Sequence, residues 1–204
     1  MQNIEKMGSY LQAELNLSDN DTAVVKYALH VLFSSVVSLI AIIAVAWALG
    51  VLKYALPAAF VAAGLRLLSG GAHSAKLLNC SLMGAVISPG IGLFAKYAWS
   101  VLPQQFLPAC IGVTFICTLT SVWLYAPADT PNKPITKPRQ KRNLRVLSFL
   151  YLIIWFIWIF AALNSVIQIP QPVLLATSLG ILWQAFSLAP AGYRFVKTVD
   201  NLMP

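Results

Sequence analysis

From Val31 to Leu52 the chain carries no charged side chain at all. About 20 apolar residues, rising ~1.5 Å each along a helix, cover the ~30 Å hydrocarbon layer of a bilayer. In hydrocarbon every backbone polar group must be satisfied within the segment, so such a run forms a spanning helix. The rest of the chain agrees: of 204 residues 59% are hydrophobic and 10% charged, against roughly 25% charged in an ordinary soluble domain. We therefore expect one integral membrane domain over residues 1–204.

Further spans follow at helical length. Lys53 to Leu68 is a shorter second span, with Pro57 and Gly64 inside it and Arg66 near its end. Leu77 to Ala95 makes a third, in which Ser88, Pro89 and Gly90 are expected to kink or break the helix. A turn at Pro103 to Pro108 leads into a fourth span ending near Tyr125, and Val146 to Leu163 and Val173 to Pro190 complete six. Uninterrupted runs of this kind lack the alternation of a membrane β-barrel, so the fold class is all-α and polytopic. In residues 1–27, Ile4, Met7, Leu11 and Leu15 recur at helical spacing, which predicts an amphipathic helix on the membrane or on the protein. That stretch lacks the features of a cleaved signal peptide and is expected to be retained.

The net charge of +8 has a topological explanation before any other. The 126–145 loop carries Lys133, Lys137, Arg139, Lys141, Arg142 and Arg145 against Asp129 alone. The positive-inside rule puts this loop in the cytoplasm. Counting spans outward then places both termini and the Arg66 to Cys80 stretch on that side, with Lys53 and Lys96 near the outer interface. Nucleic acid is not an expected partner. Cys80, Cys110 and Cys117 are odd in number and lie in or beside apolar segments, so free thiols are expected.

One stretch, RLLSGGAHSAKLLNC from Arg66 to Cys80, concentrates reactive chemistry. His73 and Cys80 are two helical turns apart, which on a straight helix separates them by about 10.5 Å along the axis. They meet only if the backbone bends, and Gly70 and Gly71 permit angles closed to other residues. Such a bend near the membrane needs protein or water to satisfy its polar groups, which predicts a wet pocket. With that geometry a neutral His73 could take the thiol proton and make Cys80 a nucleophile; without it, both residues are packing and hydrogen-bonded filler. Arg66 has two readings, a clamp for carboxylates of an acidic peptide or a side chain snorkelling from a helix end. Asp129 could orient His73 or, the reading we favour, cap a turn in ADTPN. No metal-ligand spacing is present.

Taken together, RLLSGGAHSAKLLNC resembles the Arg, Gly-Gly-x-His and Cys signature of the accessory gene regulator B (AgrB) family, membrane cysteine peptidases of bacterial quorum sensing. APADTPNKPI, from Ala126 to Ile135, is similar to that family's segment ahead of a basic stretch. The resemblance also covers length, span number and order of motifs. It implies an enzyme of the bacterial cytoplasmic membrane, without cofactor or metal, in which Cys80 and His73 are catalytic and Arg66, Gly70 and Gly71 shape the site. Its substrate would be an AgrD-like propeptide, cut before an acidic tail and cyclised through a thioester. Lys133, Lys137, Arg139, Lys141 and Arg142 would then attract that tail as well as set topology. The family also implies a homodimer among membrane lipids. A small peptide exporter and a noncatalytic membrane scaffold are the rival readings of the residues alone.

Overall fold

The computed structural model describes residues 2–15, 17–72, 74, 77–103, 105–128 and 137–202. Among them the chain forms α1 (Gln2–Leu15), α2 (Asp19–Ala48), α3 (Leu52–Ser69), α4 (Leu77–Ala98), α5 (Phe106–Tyr125), α6 (Pro138–Leu163), α7 (Gln171–Leu188) and α8 (Pro190–Leu202). Helices α2 to α7 are the six long and apolar enough to cross a membrane. The expected all-helical, polytopic architecture is therefore present.

Local chemistry sets the ends of these helices. The hydroxyl oxygen of Ser18 accepts from the backbone N–H of Asp21 at 3.2 Å, an N-cap that starts α2 well before the uncharged run. At its other end Gly50, with φ of 64°, makes a Schellman closure in which the Val51 N–H donates to the Ala46 carbonyl at 2.8 Å. That tight reversal brings α3 in at Leu52. Helix α6 begins at Pro138, earlier than the expected Val146, because proline is well suited to the first helical turn. Arg139, Lys141, Arg142 and Arg145 consequently lie on a helix rather than in a loop. Helix α4 differs too: it runs unbroken through Pro89, where the loss of one hydrogen bond is tolerable in a helix enclosed by neighbours.

Helix α7 is the hub, packed against α3, α4 and α5. Leu174, Leu175, Ile181 and Leu188 on it are fully buried, together with Leu65, Leu107, Leu152 and Ile159 from its surroundings. Large apolar residues such as Leu67, Val86, Trp123 and Ile154 point outward instead. This is the distribution of a bundle solvated by lipid, where helices associate through close packing of small residues. Gly180 lies against the backbone of Ala58, so a Cβ there would collide with the Ala58 carbonyl where α7 crosses α3. Gly64 is used in the same way within the chain: its missing Cβ makes room for Tyr151 of α6, whose hydroxyl donates to the Val61 carbonyl at 3.0 Å.

The bundle has two distinct ends. At one, the Lys96 ammonium lies 3.5 Å from the Gly50 carbonyl. At the other, the segment after α3 meets the ends of α5 and α7: the Ala128 N–H donates to the Ser69 carbonyl at 2.8 Å and the Ala72 N–H to the Ser187 carbonyl at 2.9 Å.

Candidate active site

Helix α3 stops because Gly70 and Gly71 leave helical geometry, with φ of 72° and 140°. Both values lie in the region that favours glycine. Space imposes the same requirement. A Cβ on Gly70 would sit 2.5 Å from the Ala128 carbonyl oxygen, and one on Gly71 would sit 2.8 Å from the Ser187 hydroxyl. The bend expected from the paired glycines is present.

A bent segment buried at a bundle end leaves polar backbone groups to be satisfied. Protein groups meet those of Gly70 and Ala72. The Gln184 side chain, 1% exposed, donates to the Gly70 carbonyl at 2.8 Å and to the Ser69 hydroxyl at 3.2 Å. Ser187 orients that amide by donating to its Oε1 at 3.0 Å. On the near side, Arg66 donates from Nη2 to the Ala72 carbonyl. Arg66, on the last turn of α3, is thus half-buried and turned onto its own connecting segment.

Cys80 follows on the first turn of α4, half-buried. Its thiol is hydrogen-bonded with the Ser34 hydroxyl of α2 and lies in the fields of the Arg66 guanidinium and the Asp200 carboxylate. One turn along α2, the hydroxyls of Ser38 and Ser81 meet at 3.0 Å. Asp200 Oδ1, from α8, accepts from the Ser74 hydroxyl and from the Asn79 side-chain amide, the latter at 2.9 Å. Tyr193, also on α8, completes the surroundings: burial pushes its phenol up, and the nearby positive charge of Arg66 partly offsets that rise.

The structure brings Arg66, Gly70, Gly71 and Cys80 together at one end of the bundle. His73, Asp129 and Lys133 lie outside the described residues. Lys137, at the N-cap of α6, and Arg139, Lys141 and Arg142, on its first turns, are exposed. Helix α6 packs chiefly on α3 and α5. Arg145 is committed elsewhere, donating to the Ala126 carbonyl at 2.7 Å and so tying down the end of α5. Cys117 lines an apolar fissure of about 690 Å³ between α4, α5 and α7, with Phe94 and Trp183 in its walls. That fissure is separate from the surroundings of Cys80.

Sequence reasoning missed Ser34, Gln184, Ser187, Tyr193 and Asp200. Polar residues inside α2 and α7 were a usable signal for the first three, because polar groups in a spanning helix usually face the bundle interior. Helix α8 was signalled by Pro190 at a helix start, followed by Tyr193, Val196 and Val199 at spacing three.

Comparison with known proteins places these features in context. Residues 4–188 match the family model described as accessory gene regulator B. An AgrB-like protein 2 of Clostridium perfringens (strain 13 / Type A) is 31% identical over 98% of this chain and 97% of its own length. Another AgrB-like protein, from Clostridium perfringens strain SM101, is 30% identical over the same shares, and one from Listeria welshimeri is 25% identical over 95% of this chain and 90% of its own. No solved structure matches.

Proposed function

The chain belongs to the accessory gene regulator B family, a quorum-sensing membrane family whose members work on AgrD-like propeptides, and on that footing we propose that it is a cysteine endopeptidase with Cys80 as nucleophile and His73 as general base. The observation that carries this reading is the convergence at Cys80. A half-buried thiol shares one bundle end with a glycine-bent segment held by Arg66, Gln184 and Ser187.

In the proposed reaction His73 takes the Cys80 proton and Cys80 Sγ attacks the carbonyl that precedes the acidic tail of the precursor. The C–N bond breaks, His73 returns the proton to the leaving amine, and a thioester joins the peptide to Cys80. A cysteine or serine within the peptide then displaces Cys80 Sγ and closes a thiolactone or lactone ring. Exchange of one thioester for another is close to neutral in free energy, so exclusion of water decides between cyclisation and hydrolysis. In this scheme Arg66 has a different task from the peptide clamp considered at first, since its guanidinium holds the Ala72 carbonyl.

The basic start of α6 supports a sidedness in which this bundle end faces the cytoplasm, where precursor is made. Exposed Lys137, Arg139, Lys141 and Arg142 at the same end then supply a field that attracts an acidic tail. The family's homodimer is part of the proposal.

The test pairs the chain with a short AgrD-like precursor peptide that carries an acidic tail. Wild-type membranes are expected to release the tail, and Cys80→Ala to release none. A hydroxylamine-sensitive adduct of the expected mass on Cys80 identifies the thioester. Cleavage undiminished in Cys80→Ala would overturn the proposal.

A further inference from the structure

Helix α8 lies beyond the residues matched by the family model, which end at 188, yet it reaches the site. Pro190 follows directly on the C-cap of α7 and starts the new helix. Gly192 fits against the backbone of Phe186, where a Cβ would collide with the carbonyl. Phe195 then docks on the Trp183 and Phe186 rings, with centroids 5.8 and 6.0 Å away, and Val196 is buried. Tyr193, Val196 and Asp200 follow the i, i+3, i+7 spacing of a single helix face. That face is turned to Arg66 and the segment ahead of α4.

We propose that Asp200 is a positioning residue: by accepting from Ser74 and Asn79 through one carboxylate oxygen, it fixes the two residues that adjoin His73 and Cys80, and makes α8 a latch on the site. This rests on the peptidase reading above. Ser74 directly follows His73 and Asn79 directly precedes Cys80 in the sequence, so a single acceptor holds one chain neighbour of the proposed base and one of the proposed nucleophile. Asn79 is 3% exposed and loses this acceptor if Asp200 is shortened. Hydrogen bonds to a carboxylate are stronger than neutral ones, and a misplacement of about 1 Å at a reacting pair can cost about 100-fold in rate. The charge of Asp200 is a poor activator of the thiol, because a carboxylate opposes a thiolate; its acceptor geometry is what the site uses.

The test compares Asp200→Ala and Asp200→Asn in the full chain, with rates expressed per folded protein in detergent. Asp200→Ala is expected to lower kcat at least tenfold with KM within about twofold. Asp200→Asn keeps a carboxamide oxygen at the acceptor position and is expected to stay within about threefold of wild type. If Asp200→Ala does not fold, the Ser74→Ala, Asn79→Ala double variant is expected to reproduce its loss. Equal losses in the Asn and Ala variants, or full activity in Ala or in the double variant, would overturn the latch. A separate arm replaces Asn79 and Asp200 by cysteine in a full chain whose three native cysteines are serine. A short bis-methanethiosulfonate is expected to cross-link them, and absence of the link overturns the latch even where no peptide is cut. Failure of wild type to cleave overturns the peptidase reading instead.

Discussion

The side-chain nitrogen of Gln184 lies 2.8 Å from the carbonyl oxygen of Gly70, so the most buried spanning helix holds the bend that precedes Cys80. Replacing Gln184 by Leu leaves that carbonyl only the longer 3.3 Å bond from the Ser69 hydroxyl, and under-satisfying a polar group of this kind costs up to about 1–3 kcal/mol. The expected outcome is a lower thermal midpoint in detergent and precursor cleavage reduced at least tenfold. Wild-type cleavage in Gln184→Leu would mean that the bend holds its shape without α7.

Gly71 faces two separate penalties when it gains a side chain. Its φ of 140° is strained for any L-residue, by roughly 1–3 kcal/mol, and the new Cβ meets the Ser187 hydroxyl. Gly71→Ala is expected to lose most cleavage activity. Adding Ser187→Ala relieves the closest contact but leaves the backbone strain, the 3.3 Å approach to the Gln184 amide and the loss of the Ser187 bond that orients it, so the double variant should recover only part of the loss. Complete recovery, measured as initial rate per folded protein, would assign the whole effect to crowding.

Arg66 should not tolerate lysine. The guanidinium reaches the Ala72 carbonyl with a planar fork while its charge still acts on Cys80, whereas an ammonium is a compact point charge on a flexible stem. We expect Arg66→Lys to lower kcat at least tenfold despite keeping the charge. Iodoacetamide labelling of Cys80 provides the second measurement: Arg66→Gln should slow it more than Arg66→Lys, because only the glutamine variant removes the positive field. Equal labelling rates would leave Arg66 with a mechanical role alone.

Exposed Lys137, Arg139, Lys141 and Arg142 give a salt-dependent prediction. Changing all four to glutamine is expected to raise KM for the acidic-tailed precursor about three- to tenfold at low salt, with kcat unchanged, on the argument from screened surface charge. The difference should shrink as added salt shortens the Debye length from about 10 Å at 0.1 M to about 3 Å at 1 M. A KM that is insensitive to both charge and salt would restrict these residues to setting topology.

Much of this molecule is legible one residue at a time. The uncharged run after Val31 announces its helix, and the glycine pair at 70 and 71 announces its bend, because both follow from what a short stretch of backbone can do in its surroundings. Helix ends were harder to read. Asp19 starts a spanning helix inside the 1–27 stretch expected to be an amphipathic segment, and Pro138 starts one inside the expected loop, since capping and a proline at the first turn outweigh the change in hydropathy. At Pro89 the helix continues without a break, because the cost of one missing hydrogen bond depends on the helices around it.

Sequence alone determined that this chain lives in a bilayer, crosses it six times and carries a thiol after a glycine-broken turn, for these depend on local polarity and local dihedral freedom. Only the tertiary structure decided which groups surround that thiol. Ser34, Arg66 and Asp200 come from three different helices, and Asn79 meets Asp200 across 121 positions of chain. No periodicity encodes such a meeting; it arises because small residues such as Gly180 and Gly192 let α7 and its neighbours close to backbone contact, which fixes where every side chain at that end must point.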